Sequence, residues 1–217
     1  MQLIGMLDSP YVRRVAISLQ LLRLRFEHQS LSVFRTLAQF QQINPVVKAP
    51  TLVCDDGEVL MDSTLILQYA ESLAYPRTLM PSSLPELQHD LRVIGLALAA
   101  CEKSVQIIYE RTLRPPEKRH APWVERVTGQ LLSAYEALEK HVAHRPLAAT
   151  SATMSQAGVT VAVTWQFTQQ TLAAIVLASD YPHLVAYSTA VEALEEFSAA
   201  PHGEGTYRSD GEHRRAS

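Results

Sequence analysis

The sequence predicts an α/β domain followed by an all-helical domain, and three observations lead there. Residues 2–73 carry short apolar runs and helical periodicities in the order strand, helix, strand, helix, strand, strand, helix. Pro76, Pro81, Ser82, Ser83 and Pro85 then interrupt the periodicity. Beyond them apolar residues recur at helical spacing, with no convincing strand pattern before the apolar content falls away. The expected organisation is an α/β domain over residues 1–76, a linker over 77–85, an all-helical domain over 86–200 and a C-terminal tail over 201–217.

Each element has its own signal. Residues 2–6 form a short apolar run, the first strand. Ser9-Pro10 then opens a helix with apolar positions at Val12, Val15, Ala16, Leu19 and Leu22. Serine suits the cap because its oxygen accepts from a free amide, and proline tolerates the first helical position. Residues 26–31 read as the second strand, 34–43 as a short helix and Asn44-Pro45 as its stop. Residues 51–54 and 59–61 flank Asp55-Asp56-Gly57-Glu58, a hairpin signal. Asp62-Ser63 introduces a helical pattern through Ile66, Leu67, Tyr69, Ala70 and Leu73.

In the second domain, residues 86–113 and 117–142 read as long helices separated by Pro115-Pro116. Residues 155–178 form an apolar helix expected to be buried on most sides. Asp180-Tyr181-Pro182 leads into a shorter helical region ending near Phe197. From Pro201 the chain is rich in glycine and charge, with Tyr207 as its only large apolar anchor, and a mobile tail is expected.

Composition narrows the function classes. With 217 residues and 47% of them hydrophobic, the chain can bury a substantial core. A net charge of -3 with scattered basic residues argues against nucleic acid. The apolar runs, such as residues 96–100, are too short to span a bilayer, and no signal segment follows Met1, so no membrane partner and a cytoplasmic location are expected. Cys54 and Cys101 match no zinc or redox spacing and read as buried thiols. Of eight dispersed histidines only His141 and His144 share a helix face, where placement near a helix C-terminus is favoured over metal binding. No metal is expected.

Chemistry is expected where strands meet loops or helices in the first domain, at Ser9-Pro10-Tyr11, Lys48-Ala49-Pro50 and Asp62-Ser63. Taken singly, each has an ordinary structural reading as a helix start, an edge proline or a cap. Together, in this order, they resemble the glutathione transferase family, most strongly in the run Asn44-Pro45-Val46-Val47-Lys48-Ala49-Pro50-Thr51-Leu52 followed by Asp62-Ser63 and Ile66. The resemblance extends to about Pro201 and implies a thioredoxin-like first domain, βαβαββα, ahead of the all-helical one.

It also implies site roles. Pro50 would be cis, leaving the Ala49 backbone free to pair with the cysteinyl part of glutathione. Ser63 and the amides at its helix start would receive the γ-glutamyl carboxylate, with Asp62 fixing that end of the tripeptide. Lys48 would meet the glycyl carboxylate. Ser9 would donate a hydrogen bond to the glutathione thiolate, raising the reactive fraction of a thiol that is otherwise mostly protonated; Tyr11 could assist or replace it. Asp8, Arg13 and Arg14 beside it are expected to be solvated surface charge.

Tyr109, Arg111 and Trp123 are candidates for the electrophile pocket, with core or surface packing as the alternative. The implied activity is transfer of glutathione, as co-substrate, to a small and largely apolar electrophile, a detoxification chemistry carried out by a homodimer. Serine at the sulfur position disfavours disulfide chemistry but leaves peroxide reduction by bound glutathione open as a side activity. The rival from another class is a protein-binding module on the same fold, without catalysis. One departure stands out: Ser155-Gln156-Ala157-Gly158-Val159 resembles the family's helix-capping segment, with glycine where aspartate is usual. If Ser155 is the cap, Gly158→Asp is expected to stabilise the fold; Thr153 is the alternative cap.

Overall fold

The computed structural model describes residues 1–208. The chain divides into two compact units, Met1–Leu79 with the segment from Ala193 onward, and Met80–Glu192. In the first unit β1 (Gln2–Ile4), α1 (Pro10–Leu21), β2 (Glu27–Gln29), α2 (Leu37–Ile43), β3 (Thr51–Val53), β4 (Val59–Met61) and α3 (Ser63–Ala74) follow the predicted order. The sheet runs β2-β1-β3-β4. β1 lies parallel to β2 and antiparallel to β3, and β3 pairs antiparallel with β4, in a thioredoxin-like arrangement.

Hydrophobic burial holds these short strands. Leu3, Ile4 and Leu52 from the sheet, Val12, Val15, Ala16 and Leu19 from α1 and Ile66 from α3 are all completely buried. Each of the valine, leucine and isoleucine side chains is worth about 1.5–3 kcal/mol relative to exposure. The β3–β4 hairpin closes as expected, with Cys54 N donating to Glu58 O at 2.9 Å and Gly57 at φ +89°, a conformation that favours glycine.

β1 and β3 end at Ile4 and Val53, two residues and one residue earlier than expected, and two further elements also differ. α2 starts at Leu37 rather than at residue 34, because Ser32 holds the preceding residues in a turn: its Oγ accepts from the amides of Phe34 and Arg35, at 3.2 and 3.1 Å. β2 covers three residues rather than six, limited to the stretch that pairs with β1.

The chain returns to the first unit through α8 (Glu195–Ala199), and here the surface reading of Arg13 fails. Arg13 is 2% exposed and donates from Nε to Ala200 O at 2.8 Å and from Nη2 to Phe197 O at 3.4 Å. Its guanidinium sits 5.7 Å from the centre of the Phe197 ring. A cation at these carbonyls satisfies the C-terminal end of α8. The described part of the predicted mobile tail is also tied down. Tyr207 stacks on Phe26 at 4.6 Å, and its amide donates to His28 Nδ1 at 3.0 Å. That leaves Nε2 of His28 to donate to Gly5 O, at 2.7 Å. Residues 209–217 of the expected tail lie outside the described residues.

The second unit contains α4 (Leu84–Thr112), α5 (Ala121–His144), α6 (Gln156–Leu172) and α7 (Pro182–Glu192). α5 begins at Ala121 rather than 117, after a 3-10 turn at Pro116–Lys118, with Pro122 in its first turn where a missing amide costs nothing. α6 ends at Leu172, short of residue 178, and is buried along most of its length as expected. Its core partners are polar as well as apolar: Tyr135 Oη donates to Thr168 Oγ1 at 2.6 Å, and the rings of Tyr135, Trp165 and Tyr181 pack at 5.4–5.8 Å. Cys54 and Cys101 are buried, and neither is part of a disulfide. Among the described residues no helix is long and apolar enough to cross a membrane.

Candidate functional site

Ser9 caps α1 in extended conformation, and its Oγ accepts from Val12 N at 3.4 Å. The hydroxyl proton is left to donate elsewhere. The same turn of α1 meets the end of β1 and the Lys48-Ala49-Pro50 loop. Gly5 has φ +135°, and a β-carbon there would lie 2.6 Å from Val12 Cγ2 and 3.2 Å from Ala49 Cβ. Glycine at position 5 is what allows the three segments to approach.

The Ala49-Pro50 bond is cis, as the resemblance implies; Tyr75-Pro76, which no sequence signal marked, is cis as well. The loop is braced by two residues that sequence reasoning treated only as a helix stop and a strand start. Asn44, 3% exposed, donates from Nδ2 to Thr51 Oγ1 at 2.9 Å and accepts from Val46 N at 3.0 Å. Thr51 Oγ1, fully buried, donates in turn to Lys48 O at 2.7 Å. Val47, at φ 55°, is a β-branched residue in the left-handed region, held there by this bracing.

Asp62 is the N-cap of α3, with φ 75° and its Oδ1 accepting from Thr64 N at 2.9 Å. Its other oxygen lies 3.5 Å from Lys48 Nζ, joining the loop to the helix start. Both partners are about half exposed, so the pair itself adds little stability. A non-glycine residue in this strained region is the kind of outlier that clusters at ligand sites. Ser63 is 3% exposed, and its Oγ accepts from Arg14 Nη1 at 3.2 Å; the same nitrogen reaches Thr64 Oγ1 at 3.2 Å.

Arg14 therefore corrects a second surface reading. It is 2% exposed and puts a buried positive charge directly behind the N-terminus of α3, adding to the field of the helix dipole. Asp8 does sit at the surface, as expected. Partial burial pushes its carboxyl above the ordinary range, against the opposing effect of His202 and Arg35. Of the predicted residues, Ser9, Lys48, Ala49, Pro50, Asp62 and Ser63 thus belong to one connected set of contacts.

Tyr109, Arg111 and Trp123 belong to the second unit. Tyr109 and Trp123 are 43% and 42% exposed, so neither is a core residue, and Arg111 is exposed beside them in sequence on the last turn of α4. The ends of α4 and α5 that carry them are joined by Glu110, 6% exposed, which accepts from His120 N at 3.0 Å and pairs with Arg114 at 2.7 Å. No group of three or more His, Cys, Asp or Glu suited to a metal occurs among the described residues.

Residues 3–78 match the glutathione S-transferase N-terminal domain and residues 121–190 the glutathione S-transferase C-terminal domain. A glutathione transferase family member from Pseudomonas fluorescens Pf-5, solved with bound glutathione, is 26% identical with a TM-score of 0.77, covering 93% of this chain and 98% of that one. A glutathione S-transferase from Methylobacterium radiotolerans, in complex with glutathione sulfonate, is 22% identical with a TM-score of 0.84, covering 93% and 95%. The uncharacterized GST-like protein YibF of Escherichia coli K12 is 23% identical over 163 residues, 75% of this chain and 80% of that protein.

Proposed function

The chain belongs to the glutathione S-transferase family, and from that premise we propose that it holds glutathione in its first unit and activates the thiol for attack on a small, largely apolar electrophile. The observation that carries this reading is the connected set formed by the Ser9 cap, the Lys48-Ala49-Pro50 loop and the start of α3. The Ala49 backbone pairs with the cysteinyl unit. Lys48 meets the glycyl carboxylate. Asp62, Ser63 and the first amides of α3 take the γ-glutamyl end, with Arg14 supplying charge from behind. Ser9 donates to the thiolate. Tyr109, Arg111 and Trp123 are assigned to the electrophile. Glutathione and glutathione sulfonate in the structures named above support the choice of co-substrate.

Calorimetric titration with glutathione tests the site. Asp62→Ala and Ser63→Ala each remove a polar partner of a charged group and are expected to weaken binding by roughly 10- to 100-fold. Arg14→Met is expected to weaken it too, leaving Ser63 in place without the charge behind it. Equal affinity in wild type and all three variants would sink the assignment.

We further propose a homodimer. Val59 and Met61 on β4, Leu65 and Leu73 on α3 and, in the second unit, Leu84 and Leu91 expose 37–76% of their surface, apolar positions that a second copy would cover. Sedimentation at micromolar concentration is expected to give twice the mass of the 24.1 kDa chain. A monomer with full turnover would overturn this.

A further inference from the structure

We propose that residues 201–208 act as a pH-sensitive clasp, a loop that His28 holds on β2 while its imidazole is neutral and releases when the ring is protonated. β2 is an edge strand, and the alternation through it turns Phe26, His28 and Ser30 to one side. Each of the three meets the loop. Phe26 stacks on Tyr207, with ring centres 4.6 Å apart and planes 19° from parallel. His28 Nδ1 accepts from the Tyr207 amide at 3.0 Å, and Ser30 Oγ donates to Glu204 O at 2.9 Å. Arg208 N donates back to Ala199 O at 2.9 Å, closing the loop on the end of α8. Glu204 also pairs with Arg35 at 2.7 Å, but both side chains are mostly exposed and the pair adds little. A compact loop whose ends meet, laid over a sheet edge by a few contacts, can seat or lift as a unit.

The hydrogen bonds of His28 require one protonation state. Nδ1 must be bare to accept from Tyr207 N, and Nε2 must carry the proton to donate to Gly5 O at 2.7 Å. A second proton, at Nδ1, would set one N–H against another and place a charge where burial opposes it. Burial accordingly lowers the His28 pKa below the ordinary value of about 6.5, with the Gly5 carbonyl pulling the other way. Because the seated state has the lower pKa, seating is fully favoured above about pH 6.5 and weakens as pH falls through the seated value.

The other ionisable groups around the seat are Arg25 and Glu27 on the opposite side of β2, Asp8 beyond β1, Arg35 before α2, and His202, Glu204, Tyr207 and Arg208 on the loop. Residues Gln2–Ile4 of β1 carry none. Burial and the Gly5 carbonyl, rather than any of these charges, set the His28 pKa. His202 opposes the switch, since it faces Asp8 and its protonation strengthens that attraction as pH falls. Asp8 is exposed, so the attraction is screened and small. Asp8 also immediately precedes Ser9, and lifting the loop withdraws His202 from the charge beside that segment of the candidate site. The clasp does not depend on what the site binds.

Hydrogen exchange of the full chain between about pH 5 and 8 tests this through the protection factor of the Tyr207 amide, with proton resonances following His28. Protection is expected to fall by about 3- to 10-fold on acidification, in step with the His28 titration, while the amides of β1 and β3 stay protected. Two replacements divide the roles of the ring. His28→Asn keeps an acceptor near the Nδ1 position and cannot titrate, so protection should hold at every pH. His28→Gln keeps a donor near the Nε2 position and loses the acceptor, so protection should be low at every pH. Tyr207→Ala leaves His28 in place and should move its titration up toward the ordinary histidine value, because the loop no longer covers the ring. His202→Gln should leave the acid transition in place. The proposal is overturned if wild-type protection is flat with pH, if His28→Gln stays protected, or if the transition persists in His28→Asn. It is equally overturned if Tyr207→Ala leaves the His28 titration unmoved or if His202→Gln abolishes the transition.

Discussion

Ser9→Ala is expected to lower turnover by about 10- to 100-fold while changing glutathione affinity by less than about threefold. The hydroxyl acts at the sulfur, whereas the tripeptide is held by the Lys48-Ala49-Pro50 loop and the start of α3. Ser9 Oγ already accepts from Val12 N, so its proton is the part available to a thiolate. A hydrogen bond to a charged acceptor is worth about 1.5–3 kcal/mol, or one to two units in the thiol pKa. The sign follows from which form is favoured. Serine stabilises the thiolate and lowers the bound thiol's pKa, so alanine raises it and the rate at neutral pH falls with the thiolate fraction. The same substitution removes a helix cap, at about 0.5–2 kcal/mol of stability. Ser9→Thr separates the two effects, since threonine keeps both the cap and the donor and should restore most of the turnover. Thiolate absorbance against pH reads the shift directly. An unchanged titration in Ser9→Ala would transfer the role to another donor, with Tyr11 the first to replace.

The parts of the fold written in local pattern were legible. Periodicity located the α/β order, Ser9-Pro10 announced a helix start and Asp55-Asp56-Gly57-Glu58 a hairpin, because each depends on residues adjacent in sequence. The segments of the candidate site were legible only together, through a resemblance. What stayed hidden depends on distant partners. Arg13 and Arg14 look like surface charge on α1 until the acceptors 187 and 49 residues away are in place. Asn44 read as a helix stop because its bond to Thr51 belongs to the folded loop. Tyr207 was visible as an apolar anchor, but the ring of Phe26 that receives it was not.

Gly158→Asp is expected to destabilise the fold by about 2–4 kcal/mol, the reverse of what sequence pattern suggests. Ser155 is indeed the cap of α6, its Oγ accepting from Gly158 N at 3.3 Å, so the expected frame is correct and Thr153 is not needed as cap. The error lies in the space. A β-carbon on Gly158 would sit 2.4 Å from the Tyr187 hydroxyl and 2.9 Å from Met154 Sδ. Tyr187 is 6% exposed and its ring cannot swing out without opening a void, whereas Met154 can adjust. The acidic complement that aspartate would bring to the helix start comes instead from α4, where Asp90 is buried and hydrogen-bonded to Ser155. A second carboxylate at position 158 would add like charge to the clash. The melting midpoint should fall by roughly 5–15 °C for a chain of this size. Gly158→Ala isolates the steric part and should also destabilise, despite alanine's helix preference of about 0.8–1.0 kcal/mol over glycine. In a Tyr187→Phe background the nearest ring atom is Cζ at 3.7 Å, an ordinary contact, so Gly158→Ala should there become much less harmful. This double-mutant cycle isolates the hydroxyl. Equal destabilisation by Gly158→Ala in both backgrounds would show that backbone conformation, not Tyr187, is what excludes the β-carbon.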